Sequence, residues 1–265
     1  AQQEVDFVAN DSRDSVNGLA EIECLEQCKR VVLGRWDKDC IRQADVILIS
    51  PGIDREAEEF ASMINANQLV LGDVELFCRI STTPVIAVTG SNGKSTVVSM
   101  LTHVAKVLGL KAEMAGNIGV PILNYYQQKL DFLILELSSF QLETVKSMKA
   151  EAACVLNVSD DHLDRHKTIA NYSQLKHHIY DMAKVAVVNL DQAANTKSVK
   201  NRQQVSFGSE TNAPDFGYFE DIEAGYLTFE NKKLIDVAAL SVAGKHNAIN
   251  CLAVLALGHA CGWPI

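Results

Sequence analysis

Short β-branched apolar runs alternate along the chain with stretches whose apolar positions recur at helical spacing. That alternation predicts parallel strands joined by crossover helices. Before residue 80, "VDFVAN", "DVILIS" and "QLVL" read as strands, with a helical pattern from Arg55 to Asn65 between the last two. Beyond it, "VIAVT", "FLILEL", "ACVLNV" and "VAVVN" are apolar on both faces, as central strands are when helices cover both sides. Between the two regions, "STTP" at 81–84 reads as a linker, because Pro84 restricts its predecessor and a strand follows at once. The predicted division is therefore 1–82 and 83–265. Near the end, two alternating segments of "GYLTFENKKLIDV" flank Glu230, Asn231 and Lys232 and predict a β-hairpin. A last helix is expected from about His246 to Ala260, before "GWPI" stops it.

The length of 265 residues leaves room for two ordinary cores. No run approaches the length of a membrane span, and no basic, then apolar, opening marks a signal peptide. A formal charge of −9 argues against a broad nucleic-acid surface, so a bound phosphate must be held by a local device. Seven cysteines, at 24, 28, 40, 78, 154, 251 and 261, show no paired zinc spacing. Reduced thiols in a cytoplasm are the simplest reading, which predicts a cytoplasmic protein without a membrane or nucleic-acid partner.

The local device is "TGSNGKST", Thr89 to Thr96. Apolar residues at Val97, Leu101, Val104 and Leu108 place a helix after it, so Gly90, Ser91, Asn92 and Gly93 form a strand-to-helix loop aiming N–H groups at one anion site. Lys94 would neutralise phosphate charge, and Ser95 or Thr96 could ligate magnesium. The usual P-loop spacing places glycine where this chain has Val88, so the match is to a shortened loop, and a glycine-rich turn with a surface lysine stays open. Glu136, in "FLILELSSF", is a carboxylate in an apolar run, costly unless it meets a cation; a salt-bridged strand end is the alternative. Asp160, Asp161, His162 and Asp164 follow another strand, where open α/β sheets place ligand groups, although His162 alone reads equally as a capping or surface histidine.

In order, "TGSNGKST", "GNIGVP", "LELSSFQLE", "NVSDDHLDRH", "YSQLK" and "SVAGKHNAINCLA" resemble the Mur ligases of peptidoglycan synthesis, from about Asp11 to the last residue. "ELSSFQLE" and "LGDVELF" resemble the branch that joins D-glutamate to UDP-N-acetylmuramoyl-L-alanine. The resemblance implies an α/β chain with a Rossmann-like UDP-sugar domain, then a P-loop-type central ATP domain with a mainly parallel sheet and a small β-hairpin region. It implies that ATP phosphorylates the muramoyl-alanine carboxylate and that the amine of D-glutamate displaces the phosphate, with two Mg2+ ions.

By matching motif, Lys94 would hold the transferring phosphate, Ser95, Thr96 and Glu136 the first ion, and His162 and Lys176 the second. The resemblance further implies that Lys176 is carbamylated by CO2; otherwise it reads as a solvated helix lysine beside His177 and His178. Asn117, Ser138 and Gln141 would face the muramoyl-alanine arm or the metals, with turn and cap chemistry as the alternative. Asn247 and Asn250 share a helix face and could meet an adenine edge, or cap the helix. Asp11, Ser12 and Arg13 in "NDSR", with Ser50 and Gly52 in "SPG", would hold uracil and diphosphate; otherwise they are ordinary βα turns.

Two departures stand out. The resemblance implies an opening strand and glycine turn before the segment matching "VDFVANDSR", and a third domain after the last residue that carries the D-glutamate site and closes over ATP; neither is expected within these 265 residues. A monomeric fragment that binds MgATP weakly and does not ligate is the expectation. Another acid–amine ligase, such as a folylpolyglutamate synthase, and a non-catalytic nucleotide-binding module are the rival readings; "SSFQLE" disfavours the first.

Overall fold

The computed structural model describes residues 5–159, 163–192, 199, 203–209, 214–220 and 225–265. They form two compact units, dividing between Leu71 and Gly72.

The first unit runs β1 (Phe7–Asn10), α1 (Leu19–Glu23), β2 (Cys28–Val32), α2 (Lys38–Gln43), β3 (Val46–Leu48), α3 (Glu58–Ala61) and β4 (Leu69–Leu71). β1 pairs with β2 and β3 with β4, both parallel, in two separate two-stranded sheets. β2 is hidden in the sequence because Lys29 and Arg30 interrupt its apolar run. Both are exposed, and their charges are met by Asp6 at 3.0 Å and Asp37 at 2.5 Å. The helix expected over Arg55 to Asn65 is instead the single turn α3. That segment buries only Phe60 and Met63, which pack with Ile41 and Ile49, and one turn suffices to present both.

The second unit begins with α4 (Asp73–Ile80), then β5 (Val85–Thr89), α5 (Lys94–Val107), β6 (Ala112–Gly116), β7 (Phe132–Glu136), α6 (Ser139–Leu142) and β8 (Ala150–Val155). It continues through α7 (Leu163–His166), α8 (Ile169–His177), β9 (Ala183–Asn189), β10 (Gln203–Ser209), β11 (Phe216–Glu220), β12 (Gly225–Phe229), β13 (Lys232–Asp236) and α9 (Lys245–Ala260). The strands form one nine-stranded sheet in the order β13-β12-β11-β10-β9-β8-β5-β7-β6. From β6 to β11 every pairing is parallel, and β12 and β13 are added antiparallel.

Successive side chains of a strand point to opposite faces, and β5 is buried on both. Ile86 and Val88 meet Leu101 of α5 and Leu252 of α9, whereas Val85 and Ala87 lie in the cluster of Phe77 and Tyr180. This double covering explains the non-alternating apolar runs. At the far edge, Glu230 and Asn231 make a two-residue turn with φ of 48° and 62°, a geometry that matches strand twist. Lys232, expected in the turn, already pairs with Phe229. β13 is exposed at every position, and Lys233 reaches Asp236 at 2.5 Å.

α4 belongs to the second unit although the expected junction lies after it, at residue 82. Its anchor is Glu75, 1% exposed. The carboxylate accepts from the Lys146 and Ser147 N–H groups at 2.7 and 2.8 Å, Ser147 Oγ at 2.7 Å and Arg79 Nε at 2.8 Å. Burial raises the pKa of such a group, but these donors outweigh burial and hold Glu75 below its ordinary 4.5. A depressed carboxylate contributes stability above its unfolded pKa and loses it as pH falls through the folded one. We therefore expect Glu75→Gln to destabilise the second unit by about 2–4 kcal/mol at neutral pH. Urea unfolding should show the gap from the parent narrowing below the ordinary glutamate pKa.

Candidate active site

The chain leaves β5 for the edge strand β6, returns to β7 beside β5, and then crosses to β8 on the other side of β5. Open α/β sheets bind ligands at such a reversal, beyond the carboxyl ends of the strands. Here the ends of β5, β7 and β8 bring together the Gly90–Lys94 loop, Glu136 and Asn157.

Asn157 shapes the loop. Its Oδ1 accepts from Asn92 N at 2.8 Å, its Nδ2 donates to Asn92 O at 3.0 Å, and its own carbonyl accepts from Ser91 N at 3.0 Å. Ser91 Oγ donates to Ser159 O at 3.2 Å and accepts from Ser159 N at 3.0 Å. Gly93 caps α5 with φ of 83°, and a Cβ there would stand 2.8 Å from Asn250 Oδ1. Lys94 Nζ donates back to the carbonyls of Gly90 and Ser91 at 2.8 and 3.1 Å, which poises the ammonium inside the loop.

Glu136 ends β7, 1% exposed. Ser95 Oγ donates to one carboxylate oxygen at 2.7 Å and Asn117 Nδ2 to the other at 2.9 Å. Asn117 N also donates to the Glu136 carbonyl at 2.8 Å. This approach requires Gly116: its φ is 102°, and a Cβ would fall 2.1 Å from the Glu136 carbonyl oxygen. Hydroxyl and carboxylate together are the oxygen donors that magnesium takes. Thr96 follows in the exposed first turn of α5.

Lys176 is 1% exposed, so the solvated-helix reading fails. Its Nζ donates to Gly90 O at 3.0 Å and Thr89 Oγ1 at 3.4 Å, and stands 4.5 Å over the Tyr172 ring. Asp160, Asp161 and His162, and the side chain of Asp164, lie outside the described residues. Ser138 and Gln141 form a capping box on α6: Gln141 N donates to Ser138 Oγ at 3.2 Å and Ser138 N to Gln141 Oε1 at 3.0 Å. Asn247 Nδ2 donates to Ala243 O at 2.8 Å, and Asn250 Nδ2 to Asn247 Oδ1 at 3.4 Å, bringing the start of α9 against Gly93.

The remaining candidates lie in the first unit. Asp11 follows β1 and accepts from Arg13 Nε at 2.9 Å, Nη2 at 2.7 Å and N at 2.9 Å. The guanidinium hydrogen bonds, then the backbone one, bring the Asp11 carboxyl down to about 2. Ser12 is exposed beside them, as are Ser50 and Gly52 after β3, and a Cβ on Gly52 would meet open space. Sequence reasoning passed over Asn157, Tyr172 and Gly116. The available signals were a polar residue directly after a buried strand, a helical position one turn before Lys176, and the first glycine of "GNIG".

Residues 88–258 match the Mur ligase middle domain and residues 1–72 the Mur ligase MurD-like N-terminal domain. The chain belongs to the Mur ligase family. Its relatives include proteins named UDP-N-acetylmuramoylalanine–D-glutamate ligase. That of Colwellia psychrerythraea is 45% identical over 283 residues, covering 99% of this chain and 60% of the relative. That of Pasteurella multocida is 42% identical, covering 88% and 53%. The chain thus spans little more than half the length of these relatives. Among solved structures, the UDP-N-acetylmuramate:L-alanyl-gamma-D-glutamyl-meso-diaminopimelate ligase of Neisseria meningitides has a TM-score of 0.66 at 18% identity, over 96% of this chain and 86% of that one. The UDP-N-acetylmuramate-alanine ligase of Thermotoga maritima has 0.59 at 17%, over 97% and 59%. These likenesses show a shared fold with a mostly parallel central sheet.

The pairing of Asn157 with Asn92 yields a direct test. Asn157→Ala should cost about 1–2 kcal/mol in urea unfolding and speed amide exchange at residues 91–93, with α5 beyond its first turn unchanged.

Proposed function

We propose that the protein is an ATP-dependent ligase that joins D-glutamate to UDP-N-acetylmuramoyl-L-alanine through an acyl phosphate. The observation that carries this reading is the convergence of Lys94, Ser95, Glu136 and Lys176 on one loop, in a chain whose relatives bear that ligase's name. The substrate carboxylate attacks the γ-phosphorus of ATP and ADP leaves; the D-glutamate amine then attacks the acyl carbon, losing a proton as phosphate departs. Both steps bring anions together, so the protein's task is to place cations and dipoles rather than to supply a nucleophile.

Each residue has a part in that task. Lys94, seated among the loop carbonyls, turns its ammonium to the transferring phosphate, and the loop N–H groups hold the neighbouring oxygens. Ser95 and Glu136, with Thr96 beside them, fit one magnesium ion; Lys176 and His162 are assigned to a second. Magnesium bound there would neutralise phosphate charge. Lys176 takes up CO2 at its neutral amine, with loss of a proton, to become a carbamate, so that this buried cation becomes an anion suited to metal. Asn117 holds Glu136 in place and, with Ser138 and Gln141, faces the muramoyl-alanine arm. Asn247 and Asn250 meet the adenine, while Asp11, Ser12, Arg13, Ser50 and Gly52 hold the uridine diphosphate. Among the described residues no helix is long and apolar enough to cross a membrane. The reading takes the protein as a monomeric enzyme acting on dissolved substrates in the cytoplasm.

The deciding experiment measures phosphate release by the full-length protein with each substrate omitted in turn. Release that needs ATP, UDP-N-acetylmuramoyl-L-alanine and D-glutamate together is the expected result; release without the muramoyl substrate rejects the reading. Lys94→Ala should lower kcat by about a thousandfold, the scale of one preorganised charge at the transferring group. Lys94→Arg should fail too, because a planar fork cannot replace a compact ammonium in this loop. Glu136→Gln should keep the melting temperature while shifting the magnesium dependence of kcat to higher concentration.

A second set of variants addresses Lys176. Lys176→Ala should be nearly inactive and regain part of its activity with added short carboxylic acids, which can occupy the place of the carbamate. An alanine variant as active as the parent would remove Lys176 from the site.

A further inference from the structure

α6 is only four residues long, and so short a helix does not hold its own orientation. Yet its cap presents Ser138 and Gln141. The side chains that fix it come from the segment after β8. Arg165 donates from Nη2 to Glu143 Oε2 at 2.6 Å and from Nε to Oε1 at 3.2 Å. Both partners are mostly buried, at 13% and 22% side-chain exposure. The guanidinium also stands 5.5 Å over the Phe140 ring. His166, 8% exposed, bonds through Nε2 with Ser139 Oγ at 2.9 Å. Its ring lies between Phe140 at 5.6 Å and Tyr172 at 5.2 Å.

Tyr172 carries the chain of contacts onward. Its hydroxyl is 3.3 Å from Ser91 Oγ in the phosphate loop, and its ring lies beneath Lys176 Nζ. A reversal at Lys167, with φ of 65°, turns the chain from α7 into α8 so that His166 and Tyr172 face one another. We infer that Arg165 and His166 are positioning residues: they tie the cap of α6 to the Tyr172–Lys176 face of α8, and so set the spacing between the substrate-facing and phosphate-facing halves of the site. A two-pronged ion pair fixes direction as well as distance, and the stacked rings resist sliding. The kinetic part of this inference rests on the ligase reading above; the mechanical part does not.

The test uses the full-length protein with Arg165→Ala, Arg165→Lys and the shape-conserving Glu143→Gln. Arg165→Ala should raise KM for UDP-N-acetylmuramoyl-L-alanine roughly tenfold or more, the scale of sub-ångström misplacement, while KM for ATP stays within about twofold. Arg165→Lys, which keeps one charge-assisted bond, should recover part of the loss. Equal rises in both KM values that follow the loss in melting temperature would make the pair merely structural and overturn the inference. Hydrogen exchange supplies a readout independent of substrate. Faster exchange at residues 139–145 in Arg165→Ala and Glu143→Gln, with α5 unchanged, supports the tie; parent-like exchange at those residues overturns it. Phosphate release by the parent alone reports on the ligase reading, so the two ideas can fail separately.

Discussion

A carboxylate withdrawn from water must be met by donors or cations, and Glu136 is the place where the candidate site meets that demand. It stands at the end of a strand covered on both faces, where ionisation is tolerable only with partners at fixed positions. Ser95 and Asn117 supply them, and each imposes something further. Ser95 locks the first turn of α5 against β7, which fixes the distance from Lys94 to the strand end. Asn117 draws the chain after β6 so close to β7 that residue 116 must be glycine. The glycine loop, the edge strand and the acid are therefore one construction, and a change in any of them is felt by the others.

On the other side of β5 the same logic is carried by neutral groups. Asn157 imitates a strand partner for the loop, accepting from and donating to the backbone of Asn92. Lys176 approaches from α8 with its charge set against a carbonyl, a hydroxyl and an aromatic face. A protonated lysine here suits an electron-rich surrounding. The uptake of CO2 proposed for it would reverse the sign at one of the most enclosed points of the unit. Among the described residues, Glu136 is thus met by neutral donors on the β7 side, and Lys176 donates to a carbonyl and a hydroxyl on the β8 side.

Much of this was legible in the sequence where one physical pressure dominated. "PVIAV" and "FLILEL" announce central strands because double burial leaves no room for polar residues, and the glycines of "TGSNGKST" announce the turn from β5 into α5. The final helix and the hairpin were equally visible. β2 was hidden by its two charged residues. β6 was hidden because "AEMAG" is an edge strand chosen for close approach rather than for bulk, and β10 because "QQVSFGS" begins exposed. The segment from Arg55 to Asn65 looks helical by its spacing, yet it has too few buried apolar residues to need more than one turn. In the site, Glu136 stands out by its cost in an apolar run and Lys94 by its place in the glycine loop, whereas Lys176 reads from its own neighbours as a solvated helix lysine and stands out only through the family resemblance. Asn157 and Tyr172 do not stand out, because a neutral polar residue gains its meaning only from what stands opposite. Glu75 escaped notice for a related reason: its partners lie about seventy residues away.

The outer hairpin has a consequence for the molecule among its neighbours. An open sheet ends in a row of unpaired N–H and C=O groups that invites another chain to continue it. β13 presents "KKLID" to water with every side chain exposed, two adjacent ammonium groups among them, and the register between β12 and β13 shifts at Leu227 and Thr228. An incoming strand would have to desolvate those charges and follow an irregular edge. Among the described residues β12 and β13 thus close off this side of the sheet, which keeps a nine-stranded surface from becoming a template for fibrils.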